Sequence, residues 1–532
     1  MTATFRVLIA DKIAADGLAP LREDPRFELI TKPGQSLADL TQSLTEVDAV
    51  IVRSAAKVPR EAMETTTRLK VIGRAGVGVD TIDVEAATEK GIAVLNAPAG
   101  NTISAAELTM ALMLAVVRRV AAADRSMKAG AWDRAKLGGG ELYHKTLGLV
   151  GAGRIGGEVA IRARAFGMQV LIYDPFLQPD RAKALGADLA TLEEVLAKAD
   201  VLSVHVPLTE TTTGLIGAPQ LLKLKSTAIV LNVARGEIID EDALVDALRT
   251  GAIAGAGLDV YSVEPLPADH PLRALDNAVL TPHLGASTEE AQQNVALEIS
   301  AAVRAALLDG DLSRAVNAPG VGGERMRRLR PLLDLAERLG RIGATLTAAP
   351  LKTVQVRYAG REEDGLGPIS AAALIGVLSE VLGHDAVNVV NAMHLATGRG
   401  IAVERTRLSP RDDYAEYLEV RLTGDGETIR VGGAVLEGAH PRIVRIGDYH
   451  VDIHPAGDLV LLRNRDVPGV IGRVGSALAA ATINIGQYHV ARLEAGGQAL
   501  AAIGVDARLS PAVIDQLRAL PEVTAVRQVS LD

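Results

Sequence analysis

Three ionisable residues, Arg235, Glu264 and His283, each follow one of three successive strand-like runs. Arg235 stands in Asn232-Val233-Ala234-Arg235-Gly236 after the run Ala228–Val233. Glu264 stands in Val263-Glu264-Pro265 after Ala254–Val260, and His283 in Thr281-Pro282-His283-Leu284-Gly285 after Val279–Thr281. An imidazole titrates near neutral pH and serves as the base for a hydroxyl proton. A carboxylate beside it orients the ring and stabilises its cation. A guanidinium grips a substrate carboxylate in bidentate fashion and polarises a forming carbonyl. Any one of these alone is more often a solvated or ion-paired group. Together, at successive strand ends of an open parallel sheet, they fall where such sheets bind ligands. A second basic set is placed alike: Arg53-Ser54 follows the run Ala49–Val52 and Arg74 follows Val71–Gly73. Two such arginines clamp an anion such as a phosphate, or simply pair with surface carboxylates. Asn101-Thr102 opens a long helical stretch and reads equally as an ordinary N-cap.

The element that gives these residues a partner is the stretch from Leu147 to Asp174. Leu147-Gly148-Leu149-Val150 reads as a strand. Gly151-Ala152-Gly153-Arg154-Ile155-Gly156 follows directly, a helix runs to about Phe166, and Gln169–Tyr173 forms a second strand closed by Asp174. This is the dinucleotide fingerprint in its required context. Gly151 permits the tight turn, Gly153 the close approach of a pyrophosphate, and Gly156 the packing of helix on strand. Asp174 is placed to accept hydrogen bonds from ribose hydroxyls and to repel a 2′-phosphate, which selects NAD over NADP. A hydride acceptor beside Arg235, Glu264 and His283 points to oxidation of a hydroxy acid.

Composition narrows the classes. A chain of 532 residues holds roughly three to four domains. The net charge of −9 argues against a general nucleic-acid or anionic-membrane binder, yet local arginines leave an anionic substrate open. With no cysteine, disulfides, thiol nucleophiles and Cys-ligated metal centres are excluded. The opening Phe5–Ala10 reads as a strand and not a signal peptide. The longest apolar run, Leu108–Val117, is too short to span a bilayer. A soluble cytoplasmic protein is expected, with no nucleic-acid or membrane partner.

Strands and helices alternate through the first part, which predicts parallel α/β architecture. Ser104–Val120 reads as one long helix. Ala318-Pro319-Gly320-Val321-Gly322-Gly323 breaks the pattern, and an α+β segment follows, with a strand at Val354–Tyr358 and a helix at Ile369–Leu382. From Asp458 the order is βαββαβ, the ferredoxin-like arrangement.

These motifs resemble the D-2-hydroxyacid dehydrogenase family, and within it the phosphoglycerate-oxidising branch in its long form with a C-terminal ACT domain. The resemblance rests on Arg53-Ser54, Gly73–Asp83, Asn96–Glu107, Gly151–Gly156, Asn232–Gly236, Glu264-Pro265-Leu266 and Thr281–Thr288. Asn464–Val474 with Ile483-Asn484-Ile485 extends it to the ACT domain. It implies a Rossmann domain (99–286) inserted in a split flavodoxin-like substrate domain (1–98 and 287–317). An intervening domain that binds substrate allosterically (318–456) and an ACT regulatory domain (457–532) follow. It makes Arg235, Glu264 and His283 catalytic. Arg53, Ser54, Arg74 and Asn101 would hold 3-phospho-D-glycerate, with Arg134 and Lys136 reaching a neighbouring subunit's site. The cofactor residues would be Gly151, Gly153, Arg154, Ile155, Gly156, Asp174, Val206, Val233, Ala234, Arg235, Asp259, His283, Leu284, Gly285 and Ala286. Val77 and Val206 stand where relatives often carry threonine. Asn464, Asp466 and Asn484 would form a regulatory site for L-serine as an allosteric inhibitor. Arg442, Arg445 and His454 form an anion site or a solvated sheet face. A homotetramer is implied, as is NAD-dependent oxidation of 3-phospho-D-glycerate to 3-phosphooxypyruvate in serine biosynthesis. Two rival readings stay open: a family member acting on lactate, glycerate or glyoxylate, and an NAD-sensing scaffold without catalysis.

Overall fold

Runs such as Ala49-Val50-Ile51-Val52 and Val201-Leu202-Ser203-Val204 are apolar at nearly every position, and each is buried throughout. Strands of this kind need a sheet covered on both faces. The computed structural model describes residues 4–531 except 410 and 412. Residues 1–3, 410, 412 and 532, which belong to the first, third and fourth expected domains, lie outside the described residues.

The first sheet is five-stranded and parallel. Its order is Phe27–Thr31, Phe5–Ile9, Ala49–Val52, Val71–Arg74, Ala93–Asn96, the flavodoxin-like 2-1-3-4-5 arrangement. The helix Glu289–Asp309 returns to this sheet: Val295, Ile299 and Val303 share a core with Val7, Ile9 and Val71. It also packs against the turn Asp16–Leu18, so close that a Cβ on Gly17 would stand 2.3 Å from that of Ala296. Thr288 caps this helix by accepting from the Ala291 N–H, and Gly310 ends it with φ 67°, as expected of the two positions.

The second sheet has seven parallel strands in the order Ala278–Leu280, Gly255–Leu258, Ile229–Asn232, Val201–Val204, Thr146–Val150, Gln169–Tyr173, Asp188–Leu189. The chain reverses its direction of travel across the sheet between Thr146–Val150 and Val201–Val204. That switch point is where a doubly wound sheet opens a crevice for a dinucleotide.

The long helix differs from the single element expected over Ser104–Val120. It spans Thr102–Val117, and a second helix, Val120–Lys128, starts after Arg119, whose φ is 52°. The cause lies in the glycines that follow. The Gly140 N–H donates to the Val117 carbonyl at 2.9 Å, and a Cβ on Gly139 would stand 2.5 Å from that oxygen.

The third sheet has six strands, in the order Ala402–Arg407, Leu351–Ala359, Tyr417–Gly424, Thr428–Leu436, His440–Ile446, Tyr449–Ile453. The helices Gly323–Leu346 and Leu366–Leu382 pack against one another beside it. The first of these has no counterpart in the sequence reading, because it is rich in arginine and carries Pro331 in its interior. The fourth sheet is antiparallel, in the order Ile485–Arg492, Gln498–Val505, Asp458–Arg465, Val523–Ser530. With the helices Val470–Ala480 and Pro511–Arg518 it forms the ferredoxin-like βαββαβ unit.

Side-chain amides join these parts. The Gln487 amide pairs with both backbone groups of His454, at 3.1 and 2.9 Å. Asn388 donates to the Gly91 carbonyl at 2.9 Å, and Val390 enters the core of the first sheet. Among the described residues, no helix is long and apolar enough to cross a membrane.

Candidate active site

His283 and Glu264 meet because Asp259 folds the loops that carry them. Asp259 is 0% exposed. Its carboxylate accepts from the Thr281 hydroxyl (2.6 Å), the Leu284 N–H (2.7 Å) and the Gly285 N–H (2.8 Å). Its own carbonyl accepts from the His283 N–H at 2.8 Å. Burial pushes this carboxyl above the usual range, and the three donors oppose the shift. The loop so held places His283 at φ 55°, a left-handed conformation uncommon outside glycine. One Glu264 oxygen accepts from the Tyr261 N–H at 3.1 Å. The other lies 2.7 Å from His283 Nδ1. With Nδ1–H donating to Glu264, Nε2 keeps a lone pair for a substrate proton.

Arg235 arrives from the neighbouring strand end. Asn232, 1% exposed, shapes its turn by accepting from the Ala234 N–H (3.0 Å) and donating to the Arg235 carbonyl (2.8 Å). The guanidinium crosses to the first sheet's loop, where Nε and Nη2 each lie 3.1 Å from Asp80 Oδ2. A Cβ on Gly78 would stand 1.7 Å from Arg235 Nη2, so a side chain there would push the guanidinium aside. Sequence alone does not mark Asp80 as a site residue, although it falls within the Gly73–Asp83 motif.

Arg53, Ser54 and Arg74 line one cavity of about 330 Å³ together with His283 and Glu264. Arg74 Nη1 donates to the Ala75 carbonyl at 2.8 Å, and Arg74 Nε is buried without a partner. Burial, with Arg235 and Arg53 nearby, pushes Arg74 down to about 10, against the pull of Asp80. A buried, poorly neutralised guanidinium is a site that favours an anion.

The glycine turn lies at the switch point of the second sheet. Gly151 has φ 89°, and a Cβ there would stand 2.7 Å from the His205 carbonyl. A Cβ on Gly156 would meet the Gly151 carbonyl at 2.3 Å, whereas one on Gly153 would meet nothing within 4 Å. The turn is therefore tight on the protein side and open where a pyrophosphate would approach, at the start of the helix Arg154–Ala165. These residues fit a dinucleotide. Asp174 braces the turn, accepting from the Ala152 N–H (3.0 Å) and the Phe176 N–H (2.9 Å). Val206 packs against Gly151.

Other expected residues stand apart from this cavity. Asn101 begins its helix without a side-chain cap bond, and its Oδ1 is buried with no partner, so the simple N-cap reading does not hold. Arg134 and Lys136 lie on an exposed turn beside Trp132, itself 79% exposed. Asn464 and Asp466 line a separate cavity of about 520 Å³ in the last unit. There Asp466 accepts from Arg492 (3.0 Å) and the Gly496 N–H (3.2 Å). Asn484 instead donates to Asp506 at 2.9 Å. Arg442 faces Asp452 at 3.5 Å and Arg445 donates to the Gly447 carbonyl at 3.0 Å.

Comparison with known proteins agrees with this geometry. The NAD-binding domain of D-isomer specific 2-hydroxyacid dehydrogenases matches residues 110–285, and the D-3-phosphoglycerate dehydrogenase intervening domain matches 328–447. The D-3-phosphoglycerate dehydrogenase of Bacillus subtilis is 41% identical over 99% of this chain and 100% of its own. That of Archaeoglobus fulgidus is 39% identical over the same shares. A solved Thermus thermophilus structure is 41% identical, with a TM-score of 0.54, and covers 58% of this chain and 99% of its own. Fold and site thus define an NAD-binding oxidoreductase of the D-isomer specific 2-hydroxyacid dehydrogenase class. Within that class the chain belongs to the D-3-phosphoglycerate dehydrogenase family.

Proposed function

We propose that this protein oxidises C2 of 3-phospho-D-glycerate to give 3-phosphooxypyruvate, the entry step of phosphorylated serine biosynthesis. The observation that carries this reading is the single cavity that holds Arg53 and Arg74 beside the His283–Glu264 pair. His283 Nε2 takes the hydroxyl proton, and Glu264 holds the ring and stabilises the imidazolium. Arg235 binds the substrate carboxylate and polarises the forming carbonyl. Arg53, Ser54 and Arg74 bind the phosphate. Gly151, Gly153, Arg154, Ile155 and Gly156 would hold NAD, with the ribose at Asp174 and the nicotinamide toward Val233 and His283. Bound NAD supplies the acceptor for the two electrons that leave C2. Asp259 acts on this site through the His283–Gly285 loop. The domain limits 1–98 with 287–317, 99–286, 318–456 and 457–532 accompany this reading, as do a cytoplasmic location and a tetramer in which Arg134 and Lys136 reach a neighbouring site. The cavity at Asn464 and Asp466 supports an ACT-type site for L-serine.

The test is NADH formation with 3-phosphoglycerate, D-glycerate and D-lactate, with and without L-serine. A strong preference for the phosphorylated acid supports the substrate, and loss of rate with serine supports the regulatory site. Equal turnover of an unphosphorylated acid overturns the substrate, and a rate indifferent to serine overturns the regulator.

A further inference from the structure

We propose that Lys12 is a third cation of the phosphate end of the cavity and a determinant of specificity for a phosphorylated hydroxy acid. This rests on the substrate reading above. The strands Phe5–Ile9 and Ala49–Val52 are parallel neighbours, so the loops leaving their carboxyl ends run side by side. Asp11, 5% exposed, ties those loops together by accepting from the Arg53 N–H at 2.6 Å and the Ala56 N–H at 3.1 Å. Lys12 is the next residue. It lines the same cavity as Arg53, Arg74 and His283, and its side chain is exposed.

Charge explains what the position does. The carboxylate that lines this cavity, Glu264, is taken by His283, and Asp80 is taken by Arg235. Among the described residues, neither Lys12 nor the Arg53 guanidinium makes an ion pair. A phosphate monoester brings close to two negative charges and three acceptor oxygens at neutral pH, which leaves an oxygen for a third cation beside Arg53 and Arg74. A lysine ammonium is a compact point charge on a flexible stem. It adapts to the outer oxygens of a phosphate, while Arg53 and Arg74 grip from the strand ends. The phosphate is unchanged by the reaction and is held alike in substrate and transition state, so Lys12 acts on binding and not on the chemical step.

Steady-state kinetics of Lys12→Gln and Lys12→Arg with 3-phosphoglycerate and D-glycerate test the assignment. Lys12→Gln raises KM for 3-phosphoglycerate about fivefold or more, as loss of one partly solvated ionic contact predicts. It leaves kcat and the D-glycerate parameters unchanged, and Lys12→Arg restores most of the affinity. An unchanged KM for 3-phosphoglycerate, in an enzyme whose wild type prefers that acid, overturns the role of Lys12 and leaves the substrate reading standing. A wild type without that preference overturns both. Equal losses on both acids also overturn it, because the effect is then not on phosphate.

Discussion

Arg235 and Asp80 are 155 residues apart in sequence, yet two guanidinium nitrogens of Arg235 lie 3.1 Å from one Asp80 oxygen. The pair bridges the loops of the two parallel sheets. It also supplies a negative charge beside three arginines, Arg53, Arg74 and Arg235; burial first, and repulsion from the other two, push Arg74 down to about 10. The pair engages the Nε edge of Arg235, while Nη1 donates to the Ala234 carbonyl at 2.7 Å. Asp80→Asn is expected to raise KM for the substrate roughly tenfold with a smaller change in kcat, because an orienting partner of a binding group is lost. Asp80→Glu should recover part of the affinity. Kinetics in which Asp80→Asn matches wild type would show that the pair has no part in holding Arg235.

Glu264→Gln keeps the shape of the contact to His283 Nδ1 but removes the charge that favours the imidazolium. kcat should fall by about 10² to 10³ with KM nearly constant, the pattern of an interaction felt mainly in the transition state. A variant that binds substrate poorly but turns over normally would assign Glu264 to binding instead.

The same substitution at two glycines should have opposite effects. Gly153→Ala adds a methyl into open space, so thermal stability should stay within a degree or two while the Kd for NAD rises at least tenfold. Gly156→Ala drives a methyl to 2.3 Å from the Gly151 carbonyl. The protein should lose about 1–3 kcal/mol, the usual cost of overpacking, read as a lower Tm. Equal Tm losses in both variants would mean that Gly153 serves the fold and not the cofactor.

His205 adjoins this turn, its Nε2 2.8 Å from the Ser203 hydroxyl. Burial pushes its pKa down from 6.5 to about 4. In this window the unfolded chain binds more protons than the folded one, so stability rises with pH. The contribution is fully present above about 6.5 and is lost as the pH falls toward 4. It amounts to at most about 3–4 kcal/mol at 1.36 kcal/mol per unit. Denaturant melts between pH 7 and 4 should show a loss that is shallower in His205→Gln. Parallel profiles would refute a buried neutral histidine.

Much of this was legible because it is local. The fingerprint from Leu147 to Asp174 specifies strand, turn and helix within one unit. Arg235, Glu264 and His283 could be grouped because strand ends in a parallel sheet share an edge. Contacts set by the tertiary path were not legible. Asp80 reads as one more loop carboxylate until Arg235 arrives. Lys12 reads as surface until Asp11 is seen bonded to the Arg53 loop. The helix break at Arg119 depends on Gly139 and Gly140 crossing Val117, and the helix Gly323–Leu346 hides behind its arginines and Pro331.

The kcat/KM values for 3-phosphoglycerate and for D-glycerate, in wild type and Arg53→Ala, read whether a phosphate clamp shares the cavity of the proton-transfer pair. Wild type should prefer the phosphorylated acid by at least about 10², and Arg53→Ala should lose most of that preference through KM, with its D-glycerate rate unchanged. A wild type indifferent to the phosphate, or an Arg53→Ala enzyme that loses both activities equally, would contradict the account.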